Sequence, residues 1–329
     1  MQDEWDVNDK LVVQGGVKSS LVFAKGWYPT QPLAGSYSGM VGGLPSGSIT
    51  TKEWFLPAIG AKYDLNGAEQ LYFNVQKNMR NFGTAPWSVG SQTAFDFFKE
   101  NGKPETSWTY EIGLRSHHAF PGWFLSSLDA QVNYYHVDFS NRLLAVSTTV
   151  GGLGGSSITG GTTSLFNVGG VTTNGADAAL TLGFGPHLSI YNGISYNSSK
   201  YDSDYTNGTT TYGTAGQQVP GSPKWMNKTV VSANAGPVEA QFTGIYIGKR
   251  YSTYTNDGAV GSYFMSNGRI AVNLPADLLH LKKASISLNV TNIFDIKGAS
   301  TVSISQPSSV YAVYPLAPRQ WFLTFSVGM

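Results

Sequence analysis

Residues 108–117 read WTYEIGLRSH, and this stretch decides the fold class. Its even positions are apolar (Trp108, Tyr110, Ile112 and Leu114), whereas its odd positions carry polar or small side chains. Successive side chains of a β-strand point to opposite faces, so this alternation predicts a strand with one apolar and one polar face. No segment of the chain keeps helical spacing convincingly. The sequence therefore predicts an all-β protein.

The same period of two recurs along the whole chain. Further examples are residues 71–76, 270–274, 286–291 and 321–328. Counting such segments gives twelve full strands, preceded by a short strand at residues 1–6. The alternation loses its phase near Tyr134 and Tyr135 and again near Gly244, which predicts a β-bulge at each place.

The connections between the predicted strands alternate in length. Short links, most of them turn-forming, lie near residues 7–9, 64–67, 121–122, 185–186, 236–237 and 275–281. Long polar stretches rich in Gly, Ser and Thr lie at about 28–51, 81–104, 148–170, 201–226, 254–263 and 296–317. Such sorting is typical of bacterial membrane barrels, which have short periplasmic turns and long external loops. We therefore expect segments 148–170 and 201–226 at one end of the sheet, opposite the turns at Gly122 and Gly185.

Composition favours the same architecture. Charged residues make up 12% of the chain, about half the share usual in soluble domains, whereas Tyr (18), Phe (17) and Trp (8) are plentiful. No apolar stretch reaches the roughly 18 residues that a membrane-spanning helix needs. A transmembrane β-barrel dilutes its hydrophobicity by alternation and fits both facts. A secreted β-helix, or an all-β enzyme rich in Gly and Tyr, would have a similar composition.

The sequence contains no motif for catalysis or for a cofactor. It has no cysteine, which excludes disulfides and thiolate metal sites, and its net charge of +1 without a basic block gives no reason to expect a nucleic-acid partner. Residues 202–208 (DSDYTNG) hint at calcium, but the glycine falls one place late for an EF-hand and Gly213 stands where a bidentate glutamate is needed. An ordinary solvated loop is the alternative. We expect no enzyme activity, no cofactor and no metal.

Five segments resemble the signature stretches of TonB-dependent receptor barrels, and they occur in the family's order. They are residues 104–115 (PETSWTYEIGLR), 133–143 (NYYHVDFSNRL), 246–251 (YIGKRY), 288–295 (LNVTNIFD) and the pairs Tyr314-Pro315 and Pro318-Arg319. The resemblance spans residues 104–329. Residues 1–103 fit the family only by their rhythm of strands and loops.

The resemblance implies an antiparallel transmembrane β-barrel in the bacterial outer membrane. The family's barrel has about 22 strands and is filled by an N-terminal plug domain. With about twelve strands and no plug, residues 1–329 look like one domain, the C-terminal part of such a barrel. The partners implied are outer-membrane lipid, the missing plug domain, the TonB complex and a small nutrient ligand. We also expect the chain to be incomplete, because no export signal precedes Gln2.

By resemblance, the function is uptake of a scarce nutrient such as a ferric siderophore, energised through TonB, with oligosaccharides and cobalamin as less common substrates. The alternative is a passive twelve-stranded porin or an outer-membrane hydrolase, since a barrel of that size is physically permissible.

Candidate site residues fall into two groups. The lumen-facing polar residues are Glu111, Arg115, Asp129, Gln131 and Arg269. They would contact the plug or line the substrate path, although a hydrated lumen tolerates polar side chains without such a role. The external-loop aromatics are Tyr201, Tyr205, Tyr212 and Trp225. They can stack on sugars or siderophore rings, or they only stiffen the loops.

The alternation also predicts which side chains meet lipid. The outward set is Trp108, Tyr110, Ile112, Leu114, Ile286, Leu288, Val290, Leu323 and Phe325. The inward set is Glu111, Arg115, Asn289 and Thr324. A one-residue slip would exchange the two sets, so the prediction is strict.

Overall fold

The computed structural model describes residues 2–27, 45–83, 85–88, 92–147, 163–167, 169–207, 210–275, 283–304 and 313–328. A single antiparallel sheet of 13 strands contains most of them. Its strands are β1 (Gln2–Asn8), β2 (Leu11–Gly26), β3 (Gly47–Asp64), β4 (Glu69–Arg80), β5 (Glu105–Ala119), β6 (Ser127–Ser140), β7 (Val171–Phe184), β8 (Leu188–Tyr201), β9 (Trp225–Ala235), β10 (Val238–Ile247), β11 (Tyr263–Leu274), β12 (Lys283–Thr291) and β13 (Gln320–Gly328).

Each strand pairs with the next one along the chain, from β1 at one edge to β13 at the other. The predicted twelve full strands and the short strand before them are confirmed. Among the described residues, β13 makes no backbone pairing with β1 or β2, so the sheet has two free edges. Within the same residues there is no separate plug domain, and no helix is long and apolar enough to cross a membrane.

The short turns among the described residues all lie at one end of the sheet, which we call the turn end. Ala119 pairs with Ser127 there, and Phe184 pairs with Leu188. Gly185 and Gly236 have φ angles of 58° and 56°, the left-handed conformation that tight hairpin turns require.

The long connections leave from the opposite end, which we call the loop end. Phe139, Val171 and Tyr201 are cross-strand neighbours there, so the connections from β6 to β7 and from β8 to β9 start at the same level. This agrees with the prediction for segments 148–170 and 201–226, although residues 148–162, 168 and 208–209 lie outside the described residues.

The register sorts the side chains onto two faces. The apolar face carries exposed Leu71, Phe73, Ile112, Val132, Leu180, Ile194, Phe242, Ile270, Ile286, Leu288, Leu323 and Phe325. The polar face carries Asn74, Glu111, Arg115, Asn133, Asp177, Gln241, Arg269, Asn289 and Thr324. All nine residues of the predicted outward set lie on the apolar face, and all four of the inward set lie on the polar face.

The two predicted bulges are wrong. Pairing runs without a shift through β6 and through β10. The apparent loss of phase has a side-chain cause: Tyr135 is an aromatic residue on the polar face, and Gly244 leaves a gap on the apolar face that Phe264 covers. A real shift occurs in β2, between Lys18 and Ser20.

The loop end also contains a helix that the sequence analysis missed, α1 (Gln92–Asn101). Phe95 from this helix is buried with Ile49, Phe82 and Leu143, which come from three other parts of the loop end. A second buried cluster contains Val171, Tyr201, Tyr205, Val219 and Tyr254. The loop end therefore has its own packed core, apart from the two faces of the sheet.

Candidate functional site

Tyr72 is the centre of a hydrogen-bonded network on the polar face. Its hydroxyl donates to Glu111 Oε1 (3.1 Å) and accepts from Gln131 Nε2 (3.1 Å). Asn133 Nδ2 donates to the same Glu111 oxygen (2.7 Å), and the Arg115 guanidinium lies 4.5 Å from the centre of the Tyr72 ring. The structure thus joins Glu111, Arg115 and Gln131 through a tyrosine that the sequence analysis did not select.

The network crosses a whole strand because β5 has a glycine where the ring passes. A Cβ atom at Gly113 would overlap the Tyr72 ring, which reaches from β4 over β5 toward Gln131 on β6. The arrangement repeats at Tyr135, whose ring lies over Gly175 and whose hydroxyl accepts a hydrogen bond from Asn197 Nδ2 (3.1 Å). Aromatic rings over glycines fill the sheet surface and fix the register of the strands.

The two remaining predicted lumen residues, Asp129 and Arg269, each contact a side chain outside the Tyr72 network. Asp129 contacts His117 Nδ1 (2.5 Å) at the turn end. Arg269 pairs with Glu239 (3.3 Å), which also accepts a hydrogen bond from Asn273 Nδ2 (2.9 Å). Arg269 therefore belongs to a separate cluster and does not join the Tyr72 network.

A buried ion pair braces the loop end. The Glu105 side chain is only 5% exposed, and its Oε1 lies 2.6 Å from Arg142 Nη1. Its other oxygen accepts the backbone N–H of Leu143 (2.8 Å) and lies 3.8 Å from Arg80 Nη1. Because buried carboxylates require such partners, Glu105 fixes the chain where it leaves β6.

The four predicted loop aromatics have different positions. Tyr201 and Tyr205 are 2% and 9% exposed, and Tyr212 packs against them with Tyr254, a residue that the sequence analysis missed. We call these four residues the tyrosine cluster. Trp225 lies instead on the apolar face, where its ring is 4.7 Å from Tyr196. Whether any of them contacts a ligand stays a prediction.

The tyrosine cluster joins two loops. The Tyr254 ring lies edge-on to Tyr205 (6.0 Å) and Tyr212 (5.4 Å), which stack on each other. Asn256 exchanges hydrogen bonds of 2.8 Å with the backbone of Gln218 in the preceding loop. Burial raises the pKa of Tyr205 to about 12.

We expect Tyr254→Ala to loosen both loops while leaving the sheet intact. Removing a buried aromatic ring costs about 3–5 kcal/mol in a rigid core, and here the loss falls on the loops alone. Limited proteolysis should therefore show faster cleavage within residues 202–224 and 252–258. Tyr254→Phe keeps the ring and loses only the hydroxyl contact with Tyr212, so its cleavage rate should stay much closer to wild type than that of the alanine variant. Equal rates for the alanine variant and wild type would contradict a packing role.

The sequence matches the model of a known protein family. The description of that model is "TonB dependent receptor-like, beta-barrel", and the match covers residues 1–293. The chain belongs to the TonB-dependent receptor family. Members of this family are outer-membrane transporters and are not enzymes. No curated protein sequence matches the chain significantly.

Solved receptor structures have the same fold. The unliganded ferric citrate transporter FecA superposes with a TM-score of 0.69 at 17% identity, over 99% of this chain and 44% of FecA. The siderophore receptor PiuA of Acinetobacter baumannii gives 0.68 at 14% identity, over 98% and 42%. The copper transporter OprC gives 0.70 at 14% identity, over 100% and 46%. The chain thus spans less than half the length of these receptors, and the likeness shows the fold.

Four of the five segments that resemble the receptor family make structural contacts at the loop end. Glu105 and Arg142, which pair, come from two different motifs. Arg250, from the motif at 246–251, is buried and donates to the backbone oxygens of Ser300 (2.8 Å) and Ala299. In the motif at 288–295, Asn292 donates to Ala317 O (2.9 Å). Each contact ties a strand end to a neighbouring loop.

Residues 299–302 pair with residues 313–315 in a short two-stranded hairpin, and Arg250→Met should release it. Hydrogen bonds from a charged donor contribute about 1.5–3 kcal/mol, and methionine keeps the volume without any donor. Hydrogen exchange at residues 299–302 should become faster, with the amides of β11 unchanged. Wild-type exchange at 299–302 would show that the guanidinium does not hold this hairpin.

No group of three or more possible metal ligands (His, Cys, Asp or Glu) occurs in the part of the chain that the structure describes. In the segment that hinted at calcium, Asp204 Oδ1 accepts the backbone N–H of Ala215 (2.9 Å). That hydrogen bond closes a loop, which fits the alternative that we gave from sequence.

Proposed function

We propose that this chain forms part of the wall of an outer-membrane uptake receptor. The observation that carries the proposal is the separation of the two faces: exposed apolar side chains cover one, and hydrogen-bonded polar side chains cover the other. A sheet with one lipid-facing and one hydrated side is what a membrane barrel requires. Outer-membrane lipid is then the partner of the apolar face.

The two free edges favour a larger closed barrel. Backbone N–H and C=O groups at an open edge find no water in lipid and must be paired. We infer that β1 and β13 pair with further strands, as in a barrel of about 22 strands that encloses a plug domain. In such a receptor, energy reaches the ligand through the plug and the TonB complex.

The proposed substrate is a scarce nutrient such as a ferric siderophore. Support comes from the neighbours in fold, which include a ferric citrate transporter and a siderophore receptor. It also comes from the packed loop end, where two buried clusters give the loops the rigidity that a binding surface needs.

Uptake in cells tests this function. The bacterium that makes the protein would be grown under iron limitation, and entry of ⁵⁵Fe-labelled siderophores would be compared with that of strains lacking the chain or TonB. We expect loss of uptake in both strains. Uptake that persists without TonB would indicate a passive porin, and full uptake without the chain would overturn the proposal.

A further inference from the structure

Four long segments of the loop-end connections carry no charged residue. Residues 26–51, 143–176, 205–223 and 298–318 contain no Asp, Glu, Lys, Arg or His. These segments belong to four of the long connections, and they consist largely of Gly, Ser, Thr, Tyr and other uncharged residues. Since external loops usually face water and tolerate charge freely, a run of four uncharged segments calls for an explanation.

Two of these segments border a cavity of about 450 Å³ on the polar face. Tyr135, Thr173, Asn197 and Ser199 form its wall, and residues 219–222 form its roof. The roof is attached to the wall, because Val219 N donates to Ser199 O (2.9 Å). Its other end is held by Gly221 N, which donates to Tyr251 O (2.8 Å) beyond the cavity. The cavity is thus a built feature of the sheet and its loop.

The groups around the cavity are neutral donors and acceptors. Asn197 bonds to the Tyr135 hydroxyl, and the Thr173 hydroxyl donates to Ser199 Oγ (2.7 Å). The rings of Tyr135 and Phe139 add aromatic surface. Amides, hydroxyls and ring faces together recognise ligands that carry hydroxyl or carbonyl groups on an apolar frame.

Arg142 is the one charged residue among those that line this cavity within the described residues, and its charge is compensated. Its guanidinium pairs with the buried Glu105 carboxylate (2.6 Å) and lies over the Phe139 ring (4.3 Å). Asp177 and Lys228, of opposite sign, line an adjoining cavity farther from the roof. Among the described residues that line the cavity, no positive charge is therefore left without a counter-charge.

We propose that this cavity binds an uncharged ligand rich in hydroxyl and carbonyl groups. The inference rests on the proposed uptake function and narrows its substrate. Among ferric chelates it selects the neutral tris-hydroxamate kind against the trianionic tris-catecholate kind, because an anion would lose hydration without gaining a counter-charge. A neutral oligosaccharide presents the same chemistry.

The test is equilibrium binding to outer-membrane vesicles from cells that make the full chain, with vesicles from cells lacking it as the blank. The labelled probes are the neutral Fe³⁺ complex of an N-acetylated linear tris-hydroxamate, the trianionic Fe³⁺ complex of a tris-catecholate, and a neutral oligosaccharide. The variants are Tyr135→Phe, Ser222→Asp and Ser222→Lys. Ser189→Lys, on the polar face near the turn end, is the matched control.

We expect a neutral probe to bind, Tyr135→Phe to weaken it about two- to tenfold as one hydrogen bond is lost, and both Ser222 variants to weaken it further. Ser189→Lys should have no effect. Tighter binding of the tris-catecholate, or a gain in its binding with Ser222→Lys, would overturn the proposal.

The remaining outcomes separate this inference from the proposed function. If chelate binding is unchanged in all three variants, the uptake function stands, but this cavity is not the binding site. If the oligosaccharide binds in a way that depends on Tyr135 and Ser222, and neither chelate binds, the cavity is the binding site but a siderophore is not its substrate. No binding of any probe would overturn both.

Discussion

Ile112→Arg is expected to destabilise the sheet by about 2–4 kcal/mol, the cost of an arginine on the lipid side of a barrel near the bilayer midplane. Ile112 lies at the middle of β5 and is 55% exposed on the apolar face. The register gives it apolar neighbours on both sides, Phe73 on β4 and Tyr134 on β6. Unfolding by urea from lipid vesicles would measure the change.

Asn74→Arg is the matched control, because Asn74 lies at nearly the same depth on the polar face. Its cross-strand neighbour is Glu111, so an arginine there meets a carboxylate and water. We expect a change of about 0.5 kcal/mol or less, as for other exposed substitutions. Equal costs for the two arginines would mean that the faces do not differ in environment, which contradicts the membrane orientation.

Glu105→Ala is expected to cost about 2–4 kcal/mol. Removing one partner of a fully buried ion pair costs about 3–5 kcal/mol, and the lower figure reflects an Arg142 side chain that is 27% exposed. The substitution also leaves the N–H of Leu143 without its acceptor. Urea unfolding would give the free energy, and proteolysis between residues 143 and 170 would report the local loosening.

Glu105→Gln separates charge from hydrogen bonding at this position. The amide keeps an acceptor for the Leu143 N–H but removes the charge that pairs with Arg142, so we expect roughly half the loss seen with alanine. A glutamine variant as unstable as the alanine variant would assign the whole effect to charge. Two variants as stable as wild type would show that Glu105 does not brace the loop end.

The sequence predicted the fold in detail where side-chain periodicity determines it. Alternation at Trp108 to His117 set the faces of β5, and the regular exchange of long and short connections set the two ends of the sheet. Both signals arise from the membrane barrel itself, in which lipid and water lie on opposite sides of every strand. For the same reason a single strand was enough to predict the fold class.

The contacts of the site depend on partners that are distant in sequence. Tyr72 and Gln131 meet only because Gly113 leaves room between them, and Glu105 meets Arg142 only after β5 and β6 pair. The sequence analysis missed the helix at Gln92–Asn101 because it has only ten residues and depends on the tertiary packing of Phe95. The order in which the strands pair could have indicated these contacts, but the spacing of residues along the sequence could not.

Solvent accessibility of single spin labels is the most direct test of the central claim that the apolar face meets lipid. The chain has no cysteine, so one cysteine at a time can be introduced and labelled at Ile112, Leu288, Glu111 or Asn289. In lipid bilayers, labels at Ile112 and Leu288 should collide more with oxygen, which dissolves in lipid, than with a water-soluble nickel chelate. Labels at Glu111 and Asn289 should show the opposite preference. Oxygen-dominated collisions at Glu111 and Asn289, with nickel-dominated collisions at Ile112 and Leu288, would contradict the assignment of the two faces.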